Sequence, residues 1–136
     1  MKELREYYSM EDSSPGSPKV KTILVADDEK IIVEMVKEYL SELGFNVLVA
    51  FNGREVLDII NRQGTRIELA LLDIRMPVVD GLTAVSVLKS HYPGMKVILM
   101  TGYLNHDLKG TDIDRLIEKP IQLEKIGRMI KEMLDD

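Results

Sequence analysis

The sequence predicts an α/β protein in which five short parallel strands form one doubly wound sheet. Its 136 residues suffice for one domain with a sizeable core, and 45% of them are hydrophobic. From Thr22 onward, short and almost wholly apolar runs alternate with amphipathic segments. Strands that are apolar on both faces need helices on both sides, which is the arrangement of a buried parallel sheet.

The first twenty residues differ from the rest of the chain. They are polar, and their SSPGSP stretch has the composition of a linker. We therefore predict a flexible amino-terminal extension over residues 1–20 and one folded domain over residues 21–136. The extension could be a native tail or the remnant of a tether to an upstream segment.

Five apolar runs are predicted strands, and amphipathic segments with helical spacing follow most of them. Gly44 stands where the first helix should stop, and Asn52 followed by Glu55 resembles a capping pair for the second. Gly127 lies inside the last helix and costs about 1 kcal/mol relative to alanine, so packing must stabilise that helix. The predicted strands cover residues 22–26, 45–50, 67–72, 96–100 and 115–118, and the predicted helices cover roughly residues 32–43, 52–60, 82–91 and 123–134.

The segment between the fourth and fifth strands is a poor helix former. Its sequence, LNHDLKGTD over residues 104–112, has no sustained apolar period. We expect the fourth helix of the fold to be short or irregular. For five βα units of this size, the strand order should be flavodoxin-like, with sites outside the carboxyl ends of the strands.

Polar and charged residues follow four of the predicted strands. Each has an ordinary structural explanation by itself, since acids can cap a helix and aspartate, proline and glycine favour turns. At one edge of a sheet, however, several carboxylates repel one another unless a cation lies among them. The residues are Asp27, Asp28 and Glu29 after the first strand, Asp73 after the third, Thr101 after the fourth, and Lys119 and Pro120 after the fifth.

This set of residue types suits phosphoryl transfer. Two aspartates from different strands and a backbone carbonyl are oxygen ligands of the kind that Mg²⁺ prefers. A carboxylate can act as the nucleophile, while a lysine and a hydroxyl bind phosphoryl oxygens. Gly81, which follows Asp80, is expected to ease the turn into the third helix.

Composition excludes several other classes of function. The net charge of −5 argues against nucleic acid as a direct partner. The absence of cysteine excludes disulfides and thiolate chemistry and fits a cytoplasmic protein. No apolar run approaches the roughly 18 residues of a membrane span. His91 and His106 are expected at the surface, since no second ligand stands at metal-binding spacing.

Four motifs in the right order resemble the receiver domain of response regulators in two-component signalling (the CheY-like family). They are DDE at residues 27–29, LLDIRMPVVDGL at 71–82, MTGY at 100–103 and EKP at 118–120. The resemblance spans about residues 21–134. It implies a phosphorelay switch rather than an ordinary enzyme, although such domains assist their own phosphorylation and dephosphorylation.

The resemblance also implies roles for individual residues. Asp73 would accept a phosphoryl group from a sensor histidine kinase or a histidine phosphotransfer protein, and a downstream protein effector would sense the change. Thr101 and Lys119 would contact the phosphoryl group, and the Lys119–Pro120 peptide bond would be cis. The implied ligands of Mg²⁺ (or Mn²⁺) are Asp27, Asp28, Asp73 and the backbone carbonyl of Arg75.

Three positions bear on signalling and on the lifetime of the phosphorylated state. Leu116 stands where receivers usually carry an aromatic residue that turns inward as the threonine moves. Tyr103, in the neighbouring loop, could take that part. Arg75 and Tyr103 each lie two residues beyond a site residue and are bulky, so we expect them to slow self-dephosphorylation.

The residues argue against three other functions. A flavodoxin-like cofactor binder needs a Gly, Ser and Thr loop after the first strand, where this chain has three acids. An aspartate-nucleophile phosphatase needs a second acid two residues after the first, where this chain has Arg75. A degenerate receiver that serves protein contacts alone would not need the full set of acid, threonine and lysine.

Overall fold

Five parallel strands form one sheet in the computed structural model, which describes residues 20–102, 108 and 110–135. The strand order is β2-β1-β3-β4-β5, and every neighbouring pair is parallel. This order confirms the predicted doubly wound, flavodoxin-like fold. The strands are β1 Thr22–Ala26, β2 Asn46–Ala50, β3 Ile67–Asp73, β4 Lys96–Thr101 and β5 Arg115–Glu118.

Helices cover both faces of the sheet, close to where the sequence predicts them. Residues 104–107 and 109 of the predicted irregular segment lie outside the described residues. Leu108 and residues 110–112, which are described, are not helical. The predicted extension also lies outside the described residues, apart from Val20. The helices are α1 Lys30–Glu42, α2 Gly53–Gln63, α3 Gly81–His91 and α4 Leu123–Leu134.

Alternate side chains of each central strand enter two different cores. Ile23 and Val25 of β1 pack beneath α1 and α4, together with Leu40 and Ile130. Leu24 and Ala26 point to the other face, which α2 and α3 cover. Both faces of β1, β3 and β4 are buried, which explains why the residues of these strands are almost wholly apolar. A polar side chain can reach water where such a strand ends.

Local interactions fix the helix ends and the contact between two helices. Asn52 Oδ1 accepts a hydrogen bond from the Glu55 N–H at 2.8 Å, which confirms the predicted capping pair of α2. A Cβ atom at Gly127 would lie 2.8 Å from the Tyr39 ring of α1 and 2.9 Å from Leu43. The glycine therefore lets α1 and α4 pack closely, which is the tertiary support that α4 needs.

No described helix combines the length and the apolar character that crossing a membrane would require.

Candidate functional site: a carboxylate–lysine cluster at the carboxyl edge of the sheet

The ends of β1 and β3 bring three carboxylates together. These strands are adjacent in the sheet, although a helix, β2 and a second helix separate them along the chain. Asp27 follows β1, and its N–H donates to the carbonyl of Ala50 at 3.2 Å. Oxygen atoms of Asp27, Asp28 and Asp73 all lie within 4.8 Å of one another. The convergence predicted from the strand ends is therefore present.

Lys119 lies among these acids. Its Nζ is 2.8 Å from Asp27 Oδ2, 3.2 Å from Glu29 Oε1 and 3.5 Å from Asp73 Oδ1. The Lys119 N–H donates to the carbonyl of Thr101 at 2.8 Å, which extends the pairing of β4 and β5 by one residue. The Lys119–Pro120 peptide bond is cis. We call Asp27, Asp28, Asp73 and Lys119 the carboxyl-edge cluster.

The carboxyl-edge cluster has more negative charge than its single ammonium can balance. Asp27 is fully buried and Asp73 is 5% exposed. Burial and the charge of Asp27 raise the pKa of Asp73 from 3.8 to about 6, although Lys119 acts in the opposite direction. Burial also acts to lower the pKa of Lys119, but the contact with Asp27 and the charges of Asp27 and Asp73 outweigh it, so that pKa is raised.

Glu29 was expected at this edge of the sheet, but the sequence indicated no partner for its side chain. Its carboxylate touches Lys119, and its N–H donates to Asp27 Oδ1 at 3.0 Å. Glu29 is the N-cap residue of α1, yet it makes no side-chain cap hydrogen bond. The capping explanation of the three acids is therefore not supported at Glu29, and the acids face the site instead. Glu29 belongs to the DDE motif at residues 27–29. Sequence spacing does not reveal its contact with Lys119, because that contact depends on side-chain conformation.

The other residues singled out from the sequence differ in burial and in how they are connected to the carboxyl-edge cluster. Thr101 is buried at the end of β4 and is linked to Lys119 through the main chain. Arg75 is exposed two residues beyond Asp73. Leu116 is half-buried and packs against the core that α2 and α3 cover. Tyr103 lies outside the described residues, as does His106, whereas His91 is exposed as predicted.

The loop after Asp73 is closed tightly upon itself. The Gly81 N–H donates to the carbonyl of Ile74 at 2.7 Å, and Asp80 Oδ1 caps α3 by accepting from the Thr83 N–H at 2.8 Å. A Cβ atom at Gly81 would lie 2.3 Å from the Asp73 carbonyl oxygen. Gly81 is thus required for close approach, whereas we expected it to ease a turn.

A cavity of about 460 Å³ lies beside the carboxylates. Asp28, Arg75 and Pro77 line it, with Leu82 at its apolar side. The cavity gives the exposed carboxylate of Asp28 access to solvent at the place where Asp73 is nearly covered. A small hydrated ion could reach the carboxylate of Asp28 from this side.

The donor set of the site fits a divalent cation. Hard cations such as Mg²⁺ bind carboxylate oxygens, and the three acids place such oxygens close enough to share one ion. Burial, followed by the negative charge of Asp27, raises the pKa of Asp73 despite the opposing effect of Lys119, so a bound cation would favour the ionised carboxylate. The three acids can therefore hold a cation next to Asp73, the carboxylate at the end of β3.

Comparison with known proteins identifies the same family along most of the chain. The family described as response regulator receiver domain matches residues 23–131. The response regulator GtcR of Aneurinibacillus migulanus is 32% identical over 113 residues, which are 80% of this chain and 46% of that protein. The probable transcriptional regulatory protein TcrX of Mycobacterium tuberculosis is 30% identical over 83% of this chain and 49% of its own length. The chain thus spans about half the length of these relatives.

Solved structures agree with the family match. A CheY-like receiver domain protein from Methanospirillum hungatei has a TM-score of 0.80 and 31% identity, covering 86% of this chain and 95% of that one. The response regulator TrrA of Thermotoga maritima, solved in complex with Mg²⁺-BeF, has a TM-score of 0.77 and 31% identity, covering 85% and 100%. With its four motifs, its strand order and its acidic edge, this chain belongs to the response regulator receiver domain family.

Proposed function

We propose that Asp73 accepts a phosphoryl group from a phosphohistidine, with Mg²⁺ or Mn²⁺ bound, and that the modified site changes contacts with other proteins. One observation carries the proposal. The Asp73 carboxylate ends a central strand, lies within 4.8 Å of two other carboxylates and stands 3.5 Å from an ammonium group. A nucleophile, a cation site and a lysine are the parts that phosphoryl transfer requires.

Residues of this chain would hold the cation. Asp28, Asp73 and the backbone carbonyl of Arg75 are the proposed ligands, and Asp27 would contribute directly or through water. The bound ion would supply neutralising charge for the phosphoryl oxygens. The complex of the Thermotoga maritima relative with Mg²⁺-BeF supports this assignment for a protein of the same fold.

The proposed transfer is a single displacement at phosphorus. One carboxylate oxygen of Asp73 forms a P–O bond while the P–N bond to the donor imidazole breaks, and the imidazole nitrogen leaves with the bonding electron pair. The rigid end of β3 holds the nucleophile in place, which favours reaction through positioning. The carboxylate must be ionised to attack, so a pKa of about 6 leaves it reactive at neutral pH.

Lys119 and Thr101 are the proposed contacts of the phosphoryl group once it is attached. Phosphorylation brings the charge at Asp73 to nearly −2, which strengthens the pull on the Lys119 ammonium. Thr101 is buried at the end of the neighbouring strand, and its hydroxyl would approach the new oxygens. Leu116 replaces the usual aromatic residue and lies half-buried against the core that α2 and α3 cover, so Tyr103 is the residue we propose for the signalling role of that aromatic side chain.

Arg75 and Tyr103 are proposed to slow hydrolysis of the acyl phosphate. Arg75 is exposed and lines the cavity beside Asp28, from which water could approach the site. Shortening either side chain should therefore accelerate loss of the phosphoryl group. The measurement is the decay of phosphorylated mass over time for R75A and Y103A; decay as rapid in the wild type as in both variants would contradict this role.

The proposed partners follow from the same role. A sensor histidine kinase or a histidine phosphotransfer protein would be the donor, and a protein effector would sense the result. We propose no direct contact with nucleic acid or membrane, and we propose a cytoplasmic location, where ATP sustains such kinases. The domain is thus a phosphorylation-dependent switch rather than an enzyme with an external substrate.

Intact-mass analysis tests the proposal. The wild type should gain the mass of one phosphoryl group when it is incubated with phosphoramidate and Mg²⁺, and it should gain none in EDTA. D73N should gain none under either condition. The control D58N removes an exposed acid of α2 that pairs with Arg54, and it should be labelled like the wild type. Equal labelling of D73N and the wild type would overturn the assignment.

A further inference from the structure

Two cavities form one groove at the amino edge of the sheet, opposite the carboxyl-edge cluster. The larger, of about 550 Å³, lies where β1, β3 and β4 begin and where α3 and α4 end. The smaller, of about 280 Å³, shares Lys21 and Leu134 with the larger one. We call the two cavities together the amino-edge groove. Its lining includes Lys21, Tyr92, Met95, Lys96, Met133 and Leu134.

The lining of the amino-edge groove combines apolar and charged side chains. Met95 and Leu134 are buried, Tyr92 and Met133 are half-buried, and Lys96 is exposed. Tyr92 belongs to the core that α2 and α3 cover, and Met133 to the core beneath α1 and α4. The groove thus opens between the two cores, and it suits a ligand that has both large apolar groups and acidic groups.

Positive charge prevails along the groove. Of its two carboxylates, that of Glu68 already accepts a hydrogen bond from the Thr22 N–H at 2.5 Å. Within the part of the chain that the structure describes, the lysines of the groove form no ion pair with a carboxylate. An acidic ligand would therefore meet lysines that no contact neutralises. These lysines are Lys21, Lys96 and Lys131, and the second carboxylate belongs to Asp135.

The chain enters the fold beside this groove. Val20 lines the smaller cavity, and Lys21 lines both. Residues 6–12, EYYSMED, lie outside the described residues, and seven residues that include SSPGSP separate them from Val20. Seven residues span at most about 25 Å, so residues 6–12 stay near the groove at an effective concentration on the order of millimolar. They contain two adjacent tyrosines, three acids and no base.

We propose that the amino-edge groove binds residues 6–12 of the same chain. Tyr7 and Tyr8 would cover the apolar lining at Met95 and Met133, and the three acids would lie beside the lysines. Exposed ion pairs contribute little each, so the tyrosines would supply most of the affinity and the acids would orient the segment. The inference goes beyond the proposed function and does not depend on it, because the groove and Asp73 lie at opposite edges of the sheet.

Methionine-methyl NMR with a nitroxide label tests the proposal on the full chain. The protein has no cysteine, so S13C takes a single label next to the segment. Binding should broaden the methyl signals of Met95 and Met133, relative to the sample reduced with ascorbate. The signal of Met76, at the opposite edge of the sheet, should change little. Adding Y7S and Y8S to the labelled chain should lower the broadening severalfold, because only the tether then keeps the label nearby.

Two lysine variants of the labelled chain test the charge complementarity. K96E inverts a charge of the groove, and it should weaken binding about threefold and lower the broadening accordingly. The matched control K37E makes the same change on the exposed side of α1 and should leave the broadening as it is. The signal of the fully buried Met100 should keep its position in every variant, which shows that the core is intact.

Three results would overturn the inference. One is equal broadening of Met95 and Met133 with and without the two tyrosines, and another is an equal effect of K96E and K37E. The third comes from a mixed sample, in which one chain has the nitroxide and another has the isotope-labelled methionines. Broadening as strong in that sample as in the doubly labelled chain would show that the segment binds a second copy instead of its own groove.

Discussion

Two groups of lysine and carboxylate lie at opposite edges of the same sheet. At the amino edge, Asp114 Oδ2 accepts hydrogen bonds from the Val97 N–H at 2.8 Å and from Lys89 Nζ at 3.2 Å. Lys89 Nζ also donates to the carbonyl of Met95 at 2.6 Å. We call Lys89 and Asp114 the amino-edge pair. At the carboxyl edge, one ammonium contacts Asp27, Asp73 and Glu29, and Asp28 lies beside the two aspartates.

The two groups respond to their surroundings in opposite ways. Burial acts to raise the pKa of Asp114, but the hydrogen bonds from Val97 and Lys89 outweigh it, and the pKa is lowered. The pKa of Asp73 is raised to about 6, since burial and the neighbouring acids prevail over Lys119. The amino-edge pair is matched in charge and stabilises the fold. The carboxyl-edge cluster has an excess of negative charge that a ligand can neutralise.

Removing the lysine should show the largest difference between the two edges. K119M leaves Asp27 fully buried without its counter-charge and should lower the free energy of unfolding by about 3 kcal/mol. K89M should cost about 1 kcal/mol, because Asp114 keeps the Val97 N–H and is partly exposed. Urea unfolding in EDTA measures both. Equal losses of unfolding free energy in K119M and K89M would contradict the difference between the two edges.

Mg²⁺ should stabilise the protein through the carboxyl edge. At a concentration one hundred times its Kd, the ion should raise the free energy of unfolding by about 2.7 kcal/mol. If D28N weakens the affinity tenfold, the gain at the same concentration falls to about 1.4 kcal/mol. The control D114N, which alters the amino edge, should keep the full gain. A Mg²⁺ titration of the melting temperature that does not distinguish D28N from D114N would contradict the assignment.

D73N should stabilise the metal-free protein by about 2 kcal/mol at pH 8. The folded-state pKa of about 6 lies above the ordinary 3.8, so ionising Asp73 is more costly in the folded protein than in the unfolded chain. Stability is therefore lost as the pH rises between these two values. The advantage of the variant should shrink as the pH falls below 6. Urea unfolding between pH 5 and pH 8 tests this, and a variant less stable than the wild type at pH 8 would contradict it.

D114N should have the smallest effect and the opposite sign. It should lower the free energy of unfolding by about 1 kcal/mol at pH 7. Because the folded-state pKa of Asp114 is lowered, the stabilisation is present above the unfolded-state value and is lost as the pH falls through the folded-state value. The difference between variant and wild type should thus disappear in acid. Urea unfolding at pH 7 and near pH 3 measures the change.

The sheet and the convergence of the acids could be predicted because both follow from periodicity. Apolar runs on both faces require a parallel sheet, and parallel strands bring Asp27 and Asp73 to the same edge. The contact of Lys119 with Glu29 could not be predicted, since it depends on the conformation of two long side chains. The pairing of Lys89 with Asp114 could not be predicted either, because 25 residues separate the two along the chain and their contact depends on the conformation of both side chains.

The loop after Asp73 shows where sequence patterns mislead. Two consecutive valines favour extended backbone, so nothing in MPVVDG indicates the positive φ of Val78. Gly81 is a residue type that is common in turns, yet its role is to let the start of α3 approach the Asp73 carbonyl closely. The loop packs against Gly53 of α2 at Val79, and Gly81 lies against the Asp73 carbonyl of β3. These contacts are set by tertiary packing, which the local sequence does not reveal.

Locating the phosphoryl group on the chain is the most direct test of the central claim. The protein would be labelled with phosphoramidate and Mg²⁺, treated with sodium borohydride, which reduces an aspartyl phosphate to homoserine, and examined by peptide mass spectrometry. Homoserine is expected at position 73, and the aspartates at positions 27 and 28 should be unchanged. Homoserine at either of those positions, or labelled protein with aspartate intact at position 73, would contradict the claim.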